Sequence, residues 1–326
     1  MPRGPLSAAG SESCASRTTP PPLLDVEALF PAIAPLRREA VRLHPRRGRP
    51  GPGDSSVGGV LAWPVVEDWP RCGDSHPRTR FAPVDDGVAQ PMVPVLQLYA
   101  RDVPELPFPE GTDVLQVLWC PFDHEAGYVP RPEIFWRDSV RCKPPFVEEP
   151  PRPVGARDDY LPDPCVLHPE RVVEYPSWDL DDEVAEELEE AFEEMEDRAE
   201  EDGSACAYWS HLSVAPGIKV GGYPSWTQDP YWPACPGECG QRMRHLVTIK
   251  SAEFDGASWR RWVPVEDRSG AGGDDDGWSV FAIPYEDRNA LQCAPGIMLG
   301  DMGGMYLFVC AHGCPGMPFR YHSDCS

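Results

Sequence analysis

The sequence predicts an α+β fold, mainly antiparallel β, built as an internal duplication of a sheet-rich unit with a few helices, one of them long and acidic. Three observations lead there. The 326 residues include 41 prolines and 29 glycines, which interrupt helices and sit at turns and strand ends. Apolar residues gather in short Val-, Leu- and aromatic-rich runs bounded by Pro, Gly and Asp, as strands do. Finally, one phrase is written twice, "VGGVLAWPVVEDWPRC" from residue 57 and "VGGYPSWTQDPYWPAC" from residue 220. Aligned without a gap, the copies share Val57/Val220, Gly58/Gly221, Gly59/Gly222, Trp63/Trp226, Trp69/Trp232, Pro70/Pro233 and Cys72/Cys235.

The elements follow in chain order. Residues 1–22 read as a disordered tail, lacking the apolar run of a secretory signal. In 23–56, "LLDVEALFPAIAPLRREAVRLH" has apolar residues at helical spacing with Asp25 as a cap, and Pro31 and Pro35 limit it to one or two short helices before a Gly/Pro/Ser linker. Arg37, Arg38, Arg42, Arg46, Arg47 and Arg49 read as the solvated side and exit of such a helix. The first repeat spans 57–142, with "PMVPVLQLYARDV" and "DVLQVLWCPF" as buried strands. A proline-rich irregular connection, 143–178, leads to the acidic segment 179–202. There Leu180, Val184, Leu188, Phe192, Met195 and Ala199 recur every three or four residues, drawing one apolar stripe that must dock on something, either this protein's own sheet or a partner. The second repeat, 203–326, restates the first through "RMRHLVTIKSAEF" and "GGMYLFVCAHGC". Its "GDMGG" reads as a tight turn before the last strand. Asp274, Asp275 and Asp276 lie in a Gly/Asp loop without the alternating ligands of a calcium loop. The repeats are expected to pack as one globular unit.

Net charge is -24, but residues 179–202 hold fifteen acidic side chains and one Arg, and so supply -14 of it. The remainder is ordinary for a soluble protein, and without a basic face nucleic acid is not expected as a partner. No run of about 18 apolar residues suggests a membrane span. A cytoplasmic setting follows, in which twelve cysteines are expected to be thiols or metal ligands rather than disulfides.

The duplication exposes the chemistry. Cys120 and Cys310 end matching strands, and four residues beyond each shared cysteine stands another Cys or His: His76 after Cys72, His124 after Cys120, Cys239 after Cys235, Cys314 after Cys310. With twelve cysteines and eight histidines in the chain, positions 76 and 124 would both be Cys or His by chance about 0.4% of the time. Cys235, Cys239, Cys310 and Cys314 offer one tetrahedral zinc site, and Cys72, His76, Cys120 and His124 a second, mixed and weaker one. The alternative is that Cys72, Cys120, Cys235 and Cys310 are small buried hydrophobes of the duplicated core. His312, inside "CAHGC", is the nearby group able to replace a ligand, or else an exposed loop histidine. Four protein ligands close a zinc site to catalytic water, so the metal would add folding energy rather than chemistry. No GxSxG, Walker or HExxH pattern is present, and His211 beside Ser210 and Ser213 is too local to form a triad.

Taken with these motifs, "KVGGYPSWTQ", "CPGECGQRMRHLVTI" and "LGDMGGMYLFVC" resemble the YwqG-like family, a bacterial domain of unknown function, as do "SSVGGVLAWP", "PMVPVLQL" and "LPFPEGTDVLQVLW" in the first copy. The resemblance covers roughly residues 55 to 315. It carries the family phrase onto Gly221, Gly222, Pro224, Trp226 and Gln228, and onto Gly58, Gly59 and Trp63. Leu61 and Val65 stand where the first copy would need Pro and Gln. The resemblance implies a sheet-dominated α+β fold with internal repetition and no assigned reaction. More distantly, the layout is similar to programmed cell death protein 2, a family linked to escorting ribosomal proteins, although Glu238 lengthens its CxxCG to CxxxCG. The expectation is therefore a non-enzymatic, zinc-stabilised interaction module with a protein partner, plausibly basic in view of the acidic helix. The competing expectation is an enzyme with a pocket between the repeats, where Trp226, Gln228, His211 and Asp301 converge. Any small-molecule ligand stays open at this level.

Overall fold

The structure, a computed structural model, describes residues 16–76, 88–124, 129–202, 206–268 and 278–325. Helix α1 (Val26–Leu29) starts at Asp25, whose carboxylate accepts from the amides of Glu27 and Ala28, and a 3-10 turn, Pro31–Leu36, follows. The chain then forms β1 (Arg38–Arg42), β2 (Arg46–Arg47), β3 (Ser56–Val57), β4 (Arg71–Cys72), β5 (Gln90–Pro91), β6 (Val93–Tyr99), β7 (Val114–Cys120) and β8 (Arg131–Arg137). Strands β9 (Cys165–Val166) and β10 (Glu170–Glu174) precede the long helix α2 (Asp182–Glu201). A π turn, Tyr208–Leu212, leads to β11 (Lys219–Gly221) and β12 (Arg244–Lys250). Helices α3 (Trp259–Trp262) and α4 (Tyr285–Gln292) come before β13 (Gly304–Val309) and β14 (Phe319–Asp324).

The predicted α+β class is the one found, with two six-stranded antiparallel sheets ordered β2-β9-β3-β6-β7-β8 and β10-β1-β11-β12-β13-β14. The last four strands of each are the two writings of one unit. Neither unit is left with an open edge at its glycine strand. Segment 38–47 gives β1 to the second sheet and β2 to the first, and segment 165–174 gives β9 to the first and β10 to the second. Unpaired edges template aggregation, and these shared arms cover both. Between the sheets lies one apolar core that draws on both units, including Val57, Leu96, Val117 and Trp119 from one and Val220, Leu246, Val247 and Leu307 from the other.

Four expectations are corrected here. The helical reading of the arginine cluster fails because β1 is a strand inside a sheet. Arg42 is 1% exposed, donating to the carbonyls of Trp262 at 2.8 Å and Glu253 at 3.1 Å; Arg46 pairs with Asp267, so burial is matched by partners rather than avoided. Residues 16–22 are not a loose tail: Thr19 is buried, with its amide and hydroxyl bonded to Glu170, and Arg17 pairs with Asp267. Region 143–178 is not wholly irregular, since it supplies β9 and β10. Moreover "GDMGG" turns into the penultimate strand, β13, because β14 follows it. The tail before residue 16 and the Asp274–Asp276 loop lie outside the described residues.

The stripe of α2 docks within the chain, although not mainly on the sheet. Leu188, Phe192 and Met195 bury against Val26, Phe30, Ile33 and Tyr208, with Phe192 stacked on Tyr208 at 3.7 Å. Most of its carboxylates are left on the outer face, while Glu196 accepts from the Trp209 amide at 3.1 Å. No helix among the described residues is long and apolar enough to cross a membrane.

Two buried imidazoles make the fold acid-sensitive. Burial, with the Arg42 charge behind it, pulls His44 down to about 4, although its Nε2 lies 2.8 Å from a Glu170 oxygen. Burial, followed by the Lys219 charge, pulls His245 down to about 3. Both values fall below the ~6.5 of a solvated imidazole, so between about 4 and 6.5 the unfolded chain binds more protons and stability rises with pH. Acidification from pH 7 to 4 is expected to remove roughly 2–3 kcal/mol per histidine. Urea midpoints at pH 7, 5.5 and 4 would show it, with a shallower slope for His245→Gln; identical slopes for that variant and the parent would refute the assignment.

Candidate metal centres

All eight sequence-predicted Cys and His residues meet in two groups of four. Within each group the ligand atoms lie within 4.8 Å of one another. In the first repeat, Cys72 closes β4 and Cys120 closes β7, while His76 and His124 stand in the loops beyond. His76 Nε2 is 3.1 Å from Cys120 Sγ and His124 Nε2 is 3.9 Å from Cys72 Sγ. In the second, Cys235 and Cys239 sit on a tight loop closed by the Cys235 amide donating to the Gln241 carbonyl, and Cys310 and Cys314 sit on the turn after β13. Cys235 and Cys314 sulfurs are 3.9 Å apart, Cys239 and Cys310 sulfurs 3.7 Å.

These separations can be set against tetrahedral geometry. Zinc–sulfur bonds of about 2.3 Å put sulfurs ~3.8 Å apart along a tetrahedral edge, and a mixed sulfur–nitrogen edge is ~3.5 Å. The two sulfur–sulfur distances lie either side of the first value and the two sulfur–nitrogen distances either side of the second, and each donor set could hold a metal ion. Hydrogen bonds already aim the sulfurs: Cys235 Sγ accepts from the Gly237 amide at 3.3 Å and Cys310 Sγ from the His312 amide at 3.4 Å. A Cβ on Gly237 would come 3.2 Å from Cys314 Sγ, closer than ordinary van der Waals contact.

In each cluster the surroundings hold one thiol toward thiolate and push a neighbour the other way. A hydrogen bond from Cys120 leads the causes that bring Cys72 down to about 4, and the same contact pushes Cys120 up. The His312 and Cys314 amides bring Cys310 down to about 6, while Cys235 is pushed up to about 12, burial first and its three neighbouring thiols after. Crowded thiols therefore share protons unevenly, which a divalent cation would relieve. The environments differ, since all four residues of the mixed group are buried whereas Cys239 and Cys314 are half-buried.

His312 is exposed and outside the group, its side chain contributing nothing to it. Asp74 was missed by sequence reading. It lies 3.6 Å from His124 Nδ1 and pairs with Arg131, the arrangement that orients a ligating imidazole; the signal was an acid between the two ligands Cys72 and His76.

The family phrases turn out to be packing. Gly58, Gly59, Gly221 and Gly222 all have φ between 61° and 76°; a Cβ on Gly58 would press the Pro162 carbonyl, and one on Gly222 would collide with the Glu174 carboxylate. Trp63 and Trp226 are buried beside the clusters, with Cys72 and Cys120 around one and Cys235 and Cys310 around the other. Pro224 is buried, and Gln228 is exposed with its amide on the Cys325 carbonyl. Of the four residues expected to converge on a pocket, Trp226 lines a cavity with Ser210 and Met302, Gln228 lies on another with Gly300, His211 accepts from the Ala207 amide, and Asp301 lies on an exposed turn.

A comparison with curated proteins finds no match. Residues 55–313, most of the chain and nearly the whole span over which the duplicated unit and both clusters are laid out, match the family described as a domain of unknown function, DUF1963, and the chain belongs to it.

Proposed function

We propose that the chain is a non-enzymatic protein-interaction module of the cytoplasm whose repeats are each stapled by a structural zinc ion. One observation carries this reading: two independent sets of four Cys/His donors, at matching places in the duplication, bring their ligand atoms within 4.8 Å of one another, and four such donors complete a structural zinc site. Zinc is favoured over other ions because thiolate and imidazole in a four-donor tetrahedron suit it and not magnesium or calcium. With all four positions taken by protein, Cys235, Cys239, Cys310 and Cys314 would hold one loop to the end of β13, and Cys72, His76, Cys120 and His124 would hold another to the end of β7. The layout similar to programmed cell death protein 2, a family linked to escorting ribosomal proteins, supports a binding rather than a catalytic role. The outward carboxylates of α2 are the contact surface for a basic partner, by charge that speeds encounter more than it adds affinity.

Elemental analysis of purified protein tests the metal reading, with about two zinc per chain expected. One per chain would restrict it to a single cluster, and none would overturn it. For the partner, pull-downs at low and high salt should recover a basic protein that is lost as salt rises; recovery indifferent to salt would remove α2 from the interface.

A further inference from the structure

A cavity of about 340 Å³ opens between the second repeat and the end of the 143–178 connection, outside both clusters. Four indoles wall it: Trp178 and Trp209, whose rings lie parallel 5.8 Å apart, Trp226 from the repeated phrase, and Trp262. Two backbone departures shape it. Trp209 is presented by the π turn, where the Ser213 amide reaches the Tyr208 carbonyl at 3.0 Å, a widening that recurs at functional sites. Met302, on the rim, has φ of 55°, an uncommon left-handed conformation for a side chain other than glycine.

Lys250 also lines the cavity. Its ammonium is held by neutral acceptors: the Ser225 carbonyl at 3.1 Å, the Thr227 hydroxyl at 2.5 Å and the Tyr306 hydroxyl at 3.2 Å. Asp324 is 4.0 Å away, with its oxygens occupied by the Thr227 and Gln228 amides and the Tyr306 hydroxyl. Asp255, on another wall, is engaged by the Ala257 and Ser258 amides. The cation thus has one carboxylate, Asp324, at the outer limit of an ion pair and none within hydrogen-bond distance. Room for it is built in, because a Cβ on Gly304, its partner across β12 and β13, would come 2.8 Å from Lys250 Cδ. At the matching register of the first repeat Tyr99 faces Val114 and bonds the Pro52 carbonyl, so the duplication has kept an amine in one copy only.

We propose that this cavity binds a small aromatic carboxylate, its ring laid against the indoles and its carboxylate facing the Lys250 ammonium. Aromatic walls give affinity for a flat ring with little ordering cost, and a single cation selects the acid over its neutral isostere. The proposal is independent of the metal reading, and metal content is measured alongside to keep the two apart.

The test is calorimetric titration of the full chain with benzoate and indole-3-acetate, against benzamide and indole-3-acetamide. Saturable one-to-one binding of an acid is expected, with its amide weaker by about tenfold or more. Lys250→Met should erase the difference between acid and amide. Trp209→Ala, at a half-buried position, should weaken both alike. Equal affinity for acid and amide, no saturation by either acid, or unchanged binding in Trp209→Ala would each overturn the proposal, the last even if Lys250→Met does not fold.

Discussion

Glu174→Gln is expected to destabilise the protein by about 3–5 kcal/mol, the penalty for leaving one member of a buried ion pair without its partner. Glu174 and Lys219 are both fully buried, with Nζ 2.6 Å from the carboxylate. Burial lowers the Lys219 pKa, and the Glu174 charge is what opposes that shift. The same carboxylate accepts from the Ala215 and Tyr223 amides, so it also ties β10 to both flanks of β11. Glutamine retains one acceptor but no charge, and Lys219 must then stay ionised without a counter-ion or give up its proton. Against a total stability of about 5–15 kcal/mol, the loss would be visible as a lower urea midpoint at unchanged slope. Adding Lys219→Met removes the orphaned charge and is expected to recover much of the loss. A single-variant cost below about 1 kcal/mol would show that water reaches the pair. The pair also gives Gly222 a second reason to be glycine: besides its positive φ, a Cβ would occupy the space of the Glu174 carboxylate.

The contrast between Glu174 and its surroundings shows what was readable in the amino-acid order. Strands β6, β7, β12 and β13 were legible because they lie inside the sheets, are buried almost throughout and are rich in Val, Leu, Ile and aromatic residues. Strands β8 and β14, "RPEIFWR" and "FRYHSD", were not, since they close the sheet edges half-exposed and mix charge with aromatics. For β1 the local signal misleads, because Arg42 is a strand residue whose burial depends on carbonyls and a carboxylate more than 170 positions away, and no local pattern encodes that. The ligands were legible because duplication supplied an internal alignment that placed His76 and His124 against Cys239 and Cys314. Asp74 and Lys250 have no counterpart of the same chemistry in the other copy, and comparison of the repeats therefore passed over both.

Cys239→Ser offers the sharpest separation of metal ligand from core residue. Its side chain is half-buried, so as an ordinary surface thiol its replacement would change stability by less than about 0.5 kcal/mol. As one of four zinc ligands it should instead lose one metal equivalent and several kcal/mol, because an ion that binds only the folded chain adds its binding free energy to stability. Serine keeps the size of cysteine but seldom ionises, so the change removes the ligand with little loss of packing. His76→Ala is the parallel test in the mixed cluster, but His76 is buried and packs edge-on to His124 and against Phe122, so part of its cost would be packing. A chelator resolves the two contributions. In excess EDTA the parent and Cys239→Ser should melt together, since both then lack the metal, whereas His76→Ala should still fall below the parent by its packing share. If EDTA leaves the parent's melting temperature unchanged and Cys239→Ser melts with it in ordinary buffer, the four sulfurs are core atoms that happen to stand at a tetrahedral spacing. If only the parent falls in EDTA, to the melting temperature of Cys239→Ser, the four-cysteine cluster alone is the staple, and the two writings of the repeat have divided structure and metal between them.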